Sequence, residues 1–560
     1  MKPINILLAF AAMLMAASCY EDQGNYDYRE INEVQIEGIS DFYARDMEEM
    51  LVIHPQITGT LYDDPERFTY EWRIVGDVVS TDPDLEYLVS TTPGTKVCRF
   101  IITDKQTGVK TFHRFTLNVS SSTAGDLVMV LSKYQGRAEL SYLRLLRPEE
   151  VEAGKEARWA VNYYQNRFEE SLGTNPTQLA VIYCESARSY PFVNQFGRIM
   201  ALADNRLRLI DKSTLEPIQT TPYLTGEAYT GVSSFPPANI EGYESQFILE
   251  GFYIWRSDAY GTGFQLSSHI TEVSGGRMYF AFSLAPGVWT ASYSPNVASP
   301  YGENGHISPF VYWDDMSPTP HNNLQQLGYN LGHLICFDQT YGRFFSAFGY
   351  GSPSQIALEN IPAFPGFRMT WGSATSIADN SSVAMLTNDS DCRLVLIRNT
   401  GTGVAAKAMT GTVAGGVMTP DARCYAMQYT NYMFFSSGDR LYLYNMLDIA
   451  SDLPPSERNL VFRLSDFGYG PEARITDICV SRTERTMLVG VSRYGADTEG
   501  SGDEPLGDLL WFDLDASGLT LTHNAARSST GIAGIPVDVR IKYQTHWRDG
   551  EYMGEIKDTI

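Results

Sequence analysis

"YMFFSSGDRLYLYN", residues 432–445, sets two apolar, aromatic-rich runs on either side of Ser-Gly-Asp. Aromatic residues suit a half-buried pleated surface, and Gly-Asp supplies the tight reversal of a short loop, so the stretch reads as a β-hairpin. The same layout of strand, polar turn and strand returns along the chain. It is seen in "DLVMVLSKYQGRAELSYL" (126–143), "RIMALADNRLRLID" (198–211), "RMYFAFSLAPGVWTAS" (277–292) and "HLICFDQTYGRFFSAF" (333–348). It is seen again in "SVAMLTNDSDCRLVLI" (382–397) and in "RTMLVGVSRYG" (485–495) with "GDLLWFDL" (507–514). With Leu127, Ile199, Met278, Leu334, Val383, Met433 and Met487 as markers, the steps are 72, 79, 56, 49, 50 and 54 residues. The later steps approach the ~40–50 residues of one propeller blade, and the first two leave room for insertions. A lone hairpin cannot bury both faces; stacking hairpins around an axis does so and leaves only short sheet edges. The pattern predicts an all-β chain in which residues 125–560 form a β-propeller of seven blades. A large β-sandwich, or two separate β domains, is the competing arrangement.

Residues 33–121 follow a different rhythm. Short alternating runs ("VQIEG", "MLVIHPQITG", "FTYEWRIV", "LEYLVS", "KVCRFIITD", "KTFHRFTLNV") are separated by Asp, Pro and Gly clusters, as in a small Ig-like β-sandwich. Trp72 is placed to be buried against the opposite sheet, and "STAGD" (122–126) reads as a linker. Residues 146–172 are the best helical candidate, with Pro148 and acidic residues near its start, and are expected to be an insertion on the propeller.

The chain is acidic: 42 Lys and Arg against 66 Asp and Glu, a formal net charge of -24. Such a surface repels nucleic acid and anionic lipid headgroups, which sets both aside as partners. At the N-terminus Lys2 precedes a mostly apolar run from Ile4 to Met15, shorter than the ~20 residues that span a bilayer. Ala16-Ala17-Ser18 are small and Cys19 follows at once, so residues 1–18 resemble a bacterial lipoprotein signal ending at a lipidated Cys19. Ala16 stands where leucine is commonest. An ordinary secretory signal with a chance cysteine is the competing reading. Residues 19–32 are polar and read as a tether. Cys98, Cys184, Cys336, Cys392, Cys424 and Cys479 sit singly in apolar, strand-like contexts without a CxxC pair, which points to mostly free, buried thiols, with one or two bridges left open.

Catalytic signatures are missing from the sequence. HExxH, HxH, a zinc-spaced cysteine cluster, a P-loop and GxSxG do not occur, and the eight histidines are scattered singly. "GVSRYG" (490–495) is the nearest approach to a nucleophile elbow, but no helix is expected after it. A single Trp-Asp pair in "YWDD" (312–315) does not make a WD repeat. No cofactor and no metal site are expected; "GADTEGSGDEPLGD" (495–508) lacks EF-hand spacing and reads as a solvated loop. An acidic pair drawn from two blades would serve glycoside hydrolysis, and this keeps a hydrolase as the alternative function. Phe-Gly-Tyr-Gly occurs twice, with Gly349 and Gly468 119 residues apart. It forms either equivalent turns in two blades or a pair of ligand-stacking rings, Tyr350 and Tyr469, on one propeller face.

The start "C-Y-x-D-x-G-N-Y-D-Y" from Cys19, the sandwich with "YEWRI" and the repeat-built β region together resemble the PKD-like family of Bacteroidetes lipoproteins. The glycine-aspartate signature of true PKD repeats is absent. The resemblance implies a non-enzymatic protein anchored in the outer membrane through acylated Cys19 and facing the cell exterior. Glu21 and Asp22 would then be its surface-export mark, although they also suit a plain polar tether. It further implies partnership with a TonB-dependent barrel and its SusD-type lipoprotein in a starch-utilisation-type (Sus-like) uptake complex, with an oligopeptide or oligosaccharide as ligand.

Overall fold

The computed structural model describes residues 33–47, 49–60, 64–91, 94–123, 125–146, 148–152, 156–168, 171–182, 198–211, 214–219, 244–257, 263–285, 288–314, 334–348, 354–377, 381–399, 408–481, 483–495, 505–515, 517–543, 547–548 and 551–552. Contacts divide the chain into two compact units at Ser122 and Thr123.

The first unit is a β-sandwich. Its large sheet has five strands in the spatial order Phe42–Asp46, Lys110–Ser120, Gly94–Asp104, Phe68–Ile74 and Asp77–Ser80. The first of these pairs in parallel with its neighbour, and the other pairs are antiparallel. Two two-stranded sheets, Val34–Glu37 with Gln56–Gly59 and Met50–Ile53 with Leu85–Leu88, complete the unit. Alternation along Phe68–Ile74 sends Phe68, Tyr70, Trp72 and Ile74 inward. Trp72 is fully buried: its ring stacks on Phe100 at 4.1 Å and meets Phe115 edge-on at 6.0 Å. Its indole N–H donates to the Asp82 carbonyl at 3.0 Å, so the one polar atom of the ring is satisfied.

The second unit contains, among the described residues, six four-stranded antiparallel sheets and a seventh of five strands, in which Ser529–Ala533 pairs back to Gly507–Leu514; Trp547–Arg548 and Glu551–Tyr552 form a separate two-stranded sheet. Blades 2 to 7 begin with the innermost strands Pro176–Ile182, Ser245–Ser257, Tyr312–Trp313, Arg368–Ala374, Cys424–Ala426 and Arg474–Val480, and each runs outward as a meander. The opening hairpin is the centre of blade 6: Tyr432–Ser437 pairs with Arg440–Asn445 across a loop in which Gly438 takes φ 60, a conformation that glycine adopts without strain.

Blade 1 is built from both ends of the unit. Leu127–Tyr134 and Arg137–Arg144 form its middle, Trp159–Ala160 its outer edge, and Ile535–Lys542 its innermost strand. The innermost strands of blades 7, 1, 2 and 3 touch in turn, and so do those of blades 4, 5, 6 and 7. Val273, Met278, Val311 and Leu334 form one apolar cluster between blades 3 and 4. Val128, Val130, Val539, Ile541, Leu488 and Trp511 fill the boundary of blades 7 and 1. The all-β class and the seven-bladed reading of the repeat thus hold.

Two details differ from expectation. Six of the seven repeat markers fall on the second strand outward of their blade, but Met278 lies on the third, in Arg277–Ala285. Residues 146–172 are not one inserted helix: Pro148–Glu152 and Tyr163–Arg167 are separate short helices. Between them Trp159–Ala160 pairs with Tyr142 and Leu143, because an outer blade edge needs its backbone groups paired. Cys98, Cys336, Cys392 and Cys479 are free and buried, and Cys424 is free and half-buried; Cys184 lies outside the described residues.

Two outcomes check this packing. Trp72→Ala should destabilise the first unit by about 3–5 kcal/mol, read from denaturant unfolding of the whole chain. Truncation after Gly534 removes the inner strand of blade 1 and should abolish cooperative melting of the second unit; an unchanged transition would contradict closure by Ile535–Lys542.

Candidate functional site

Three of the innermost strands carry a polar residue near their middle that reaches out of the strand: Asp477 in "RITDICV", Asp538 in "IPVDVRIK" and Gln178 in "PTQLAVI". Each reaches across a blade boundary to the backbone of the next blade. Asp477 Oδ2 accepts from the Val539 N–H at 2.7 Å, and Asp538 Oδ2 accepts from the Leu179 N–H at 2.8 Å. Gln178 accepts from the Ile248 N–H at 2.9 Å and donates to the Ile248 carbonyl at 2.6 Å. The chain of contacts therefore steps from blade 7 to 1, 2 and 3. In the first two steps the donor, Val539 or Leu179, directly follows the polar residue that makes the next clamp, so Asp538-Val539 and Gln178-Leu179 each give and receive one.

Arg540 lies beside this row. Its Nε donates to the Leu179 carbonyl at 3.0 Å and its Nη2 stands 3.3 Å from Asp538 Oδ1. Burial is the largest influence on the Asp538 carboxyl and raises it; Arg540 pulls it back, and Asp477 pushes it up again, to about 8. Two carboxylates on adjacent blades are what an interblade acid site would require. Here, however, an oxygen of each is taken up by a backbone N–H, and Asp538 is buried away from solvent. The arrangement holds blades together; it does not leave a carboxyl poised over an open cleft. Glu484 acts similarly between blades 7 and 6, accepting from the Gln428 and Tyr429 N–H groups, with its carboxyl raised by burial.

Of the residues singled out in the sequence, Tyr469 is described. Phe467 packs edge-on to Phe462 at 5.1 Å and Phe512 at 5.6 Å, and Gly468 (φ 85) caps the preceding turn Leu464–Phe467. This turn leaves Tyr469 half-buried, with its hydroxyl hydrogen-bonded to Asp508 and its ionisation raised by burial. Asp508 is buried and held by a bidentate Arg493 (2.9 and 2.7 Å) and by the Gly531 N–H at 2.7 Å. Tyr469 is thus anchored at one end, which leaves its ring partly accessible in a fixed orientation; Tyr494, next to Arg493 in the chain, is 54% exposed. Tyr350, Cys19, Glu21 and Asp22 lie outside the described residues, so the structure does not bring Tyr350 and Tyr469 together. Ser492 of "GVSRYG" is buried in the strand Thr486–Ser492 and donates to the Gly495 carbonyl, a position no substrate reaches. Among the described residues no three His, Cys, Asp or Glu side chains are grouped to hold a metal ion.

The interblade clamps escape a search for catalytic motifs. Their signal is a polar residue near the middle of an innermost strand, visible only once the blades are aligned.

The PKD-like family model matches residues 19–176. No curated protein matches the chain. Among solved structures, a quinoprotein alcohol dehydrogenase-like protein from Bacteroides thetaiotaomicron is 13% identical, with 90% of this chain and 97% of that one covered and a TM-score of 0.39. A protein from Lactobacillus plantarum is 10% identical, covering 75% and 99%, with a TM-score of 0.40. The WD40 domain of SCAP from fission yeast is 8% identical, covering 66% and 75%, with a TM-score of 0.25. Likenesses this distant carry no argument about activity.

The Asp538 environment has a pH consequence. Its raised carboxyl keeps a proton in the folded state that the unfolded chain has already lost, so its contribution is full below about pH 4 and is lost as the pH rises to about 8. Asp538→Asn retains an oxygen for the Leu179 N–H and does not titrate. Thermal melts should show a smaller fall in Tm between about pH 5 and 8.5 for the variant than for the parent; equal slopes would remove Asp538 as the source.

Proposed function

We propose that the chain is a lipid-anchored surface protein that captures or presents oligomeric nutrients, peptides or glycans, without turning them over. It does so beside a TonB-dependent barrel and its SusD-type lipoprotein. The observation that carries the reading is Ala17-Ser18-Cys19 placed directly after an apolar run too short to span a membrane. The family match that starts at Cys19 adds support, since residues 1–18 then stand apart as a removable signal. The seven-sheet unit offers broad faces with exposed rings, such as Tyr494 and Tyr429, suited to stacking on a sugar or packing against a peptide. The hydrolase alternative gains nothing from Asp477 and Asp538, whose carboxylates serve the blade boundaries.

Fractionation and pull-down test the proposal. Cys19→Ala should move the protein from the membrane pellet to the soluble fraction after a wash at about 1 M salt, which screens charge-based adhesion. Retention in the pellet would overturn the anchor. From cells grown on an inducing nutrient, the tagged parent should carry a TonB-dependent barrel with it through detergent extraction, and a preparation without one would overturn the partnership.

A further inference from the structure

The outer face of the five-stranded sheet carries a row of three arginines across its three central strands. Arg73 lies directly opposite Arg99, and Arg99 directly opposite Arg114. Like charges facing each other across a ladder destabilise a sheet. Glu71 offsets only one of the three, meeting Arg73 Nη2 at 2.7 Å. Arg114 lies over the Phe112 ring at 5.3 Å, and neither Arg99 nor Arg114 has a carboxylate partner among the described residues. Protection of a sheet edge does not explain the row, because charges serve that purpose on edge strands and these strands are internal.

Apolar residues flank the arginines on the same face. On one side stand Phe42 and Val97, 58% and 60% exposed, each opposite Thr116; on the other Phe112, 54% exposed, lies opposite Ile101. Lys110 extends the cationic surface. Between residues 33 and 122 the chain has fifteen Asp and Glu against eight Lys and Arg, so four of the eight cations are gathered on this one face of an acidic unit. Net charge alone hides this segregation.

We propose that this face docks on the anionic headgroup layer of the membrane that holds the lipid anchor. The proposal rests on the anchored reading of Cys19. From Cys19 to Glu33, where the described chain starts, there are 14 residues, which reach at most about 50 Å. A tether of that length keeps a phosphate-bearing surface at high effective concentration, so a weak contact is enough. The arginines supply forked donors to phosphate, and Phe42, Phe112 and Val97 supply the apolar contacts of an interfacial surface. Docked headgroups would neutralise the ladder's own repulsion.

The test uses the full mature chain carrying Cys19→Ala, which has no lipid of its own. It should co-sediment with phosphatidylcholine vesicles carrying about 30% phosphatidylglycerol, and lose that binding as salt rises from about 0.1 to 0.5 M. Arg99→Gln/Arg114→Gln should weaken binding about tenfold or more while leaving Tm equal or higher, since it removes the facing charges. Equal binding to pure phosphatidylcholine, no binding at all, or unchanged binding by the double variant would overturn the proposal. So would a purified acidic partner protein that occupies the face while vesicles do not. None of these failures touches the anchor, which the cell fractionation of the lipidated parent reads separately.

Discussion

The pairing of Ile535–Lys542 with Leu127–Tyr134 is the constraint on which the second unit depends. Every other blade is built from a single stretch of chain. Blade 1 alone needs both ends of the unit, and it sits between blades 7 and 2, so its inner strand joins the last sheet to the first. The strand is secured at both faces and at its end. Val539 and Ile541 pack into the boundary with blade 7, and the buried Lys542 ammonium donates to the Thr123 carbonyl at 2.8 Å, tying the closing strand to the first residue of the unit. A buried ammonium is tolerated only when it is hydrogen-bonded, which makes this contact selective for one register of the closing strand.

The polar groups of the inner strands follow from the same geometry. A first strand at a blade boundary has backbone groups facing the next blade, and these require partners once buried. Asp477, Asp538 and Gln178 provide them. The carboxyls of Asp477 and Asp538 are thus part of the blade boundaries rather than of an open surface.

Much of the fold was legible because hairpins announce themselves locally. The Ser-Gly-Asp turn of blade 6 and the evenly spaced markers from Leu334 onward map directly onto sheets. Blade 3 was harder to read because its first two strands, Ser245–Ser257 and Gly263–Ser274, are long and carry fewer uninterrupted aliphatic runs, so Met278 drew the eye to the third strand. Residues 146–172 read as helix because Pro148 and its acidic neighbours do start one, but the pairing of Trp159–Ala160 is decided by the adjacent strand and not by local propensity. The site was less legible still. Asp477 and Asp538 are 61 residues apart in sequence and related only through closure, and the facing of Arg73, Arg99 and Arg114 depends on strand register that composition cannot express.

Closure from both ends also fixes an order of events. The sandwich has all its contacts available once residue 122 has emerged, whereas Leu131 must wait for Asp538, 407 residues later. Until then Leu127–Tyr134, with Val128 and Val130 on the side that packs on blade 7, has an unpaired apolar edge. Contacts of such separation form late and slowly. During synthesis or passage across a membrane, this strand is the segment that most needs shielding from other chains, and the interval of exposure is set by the length of the propeller itself.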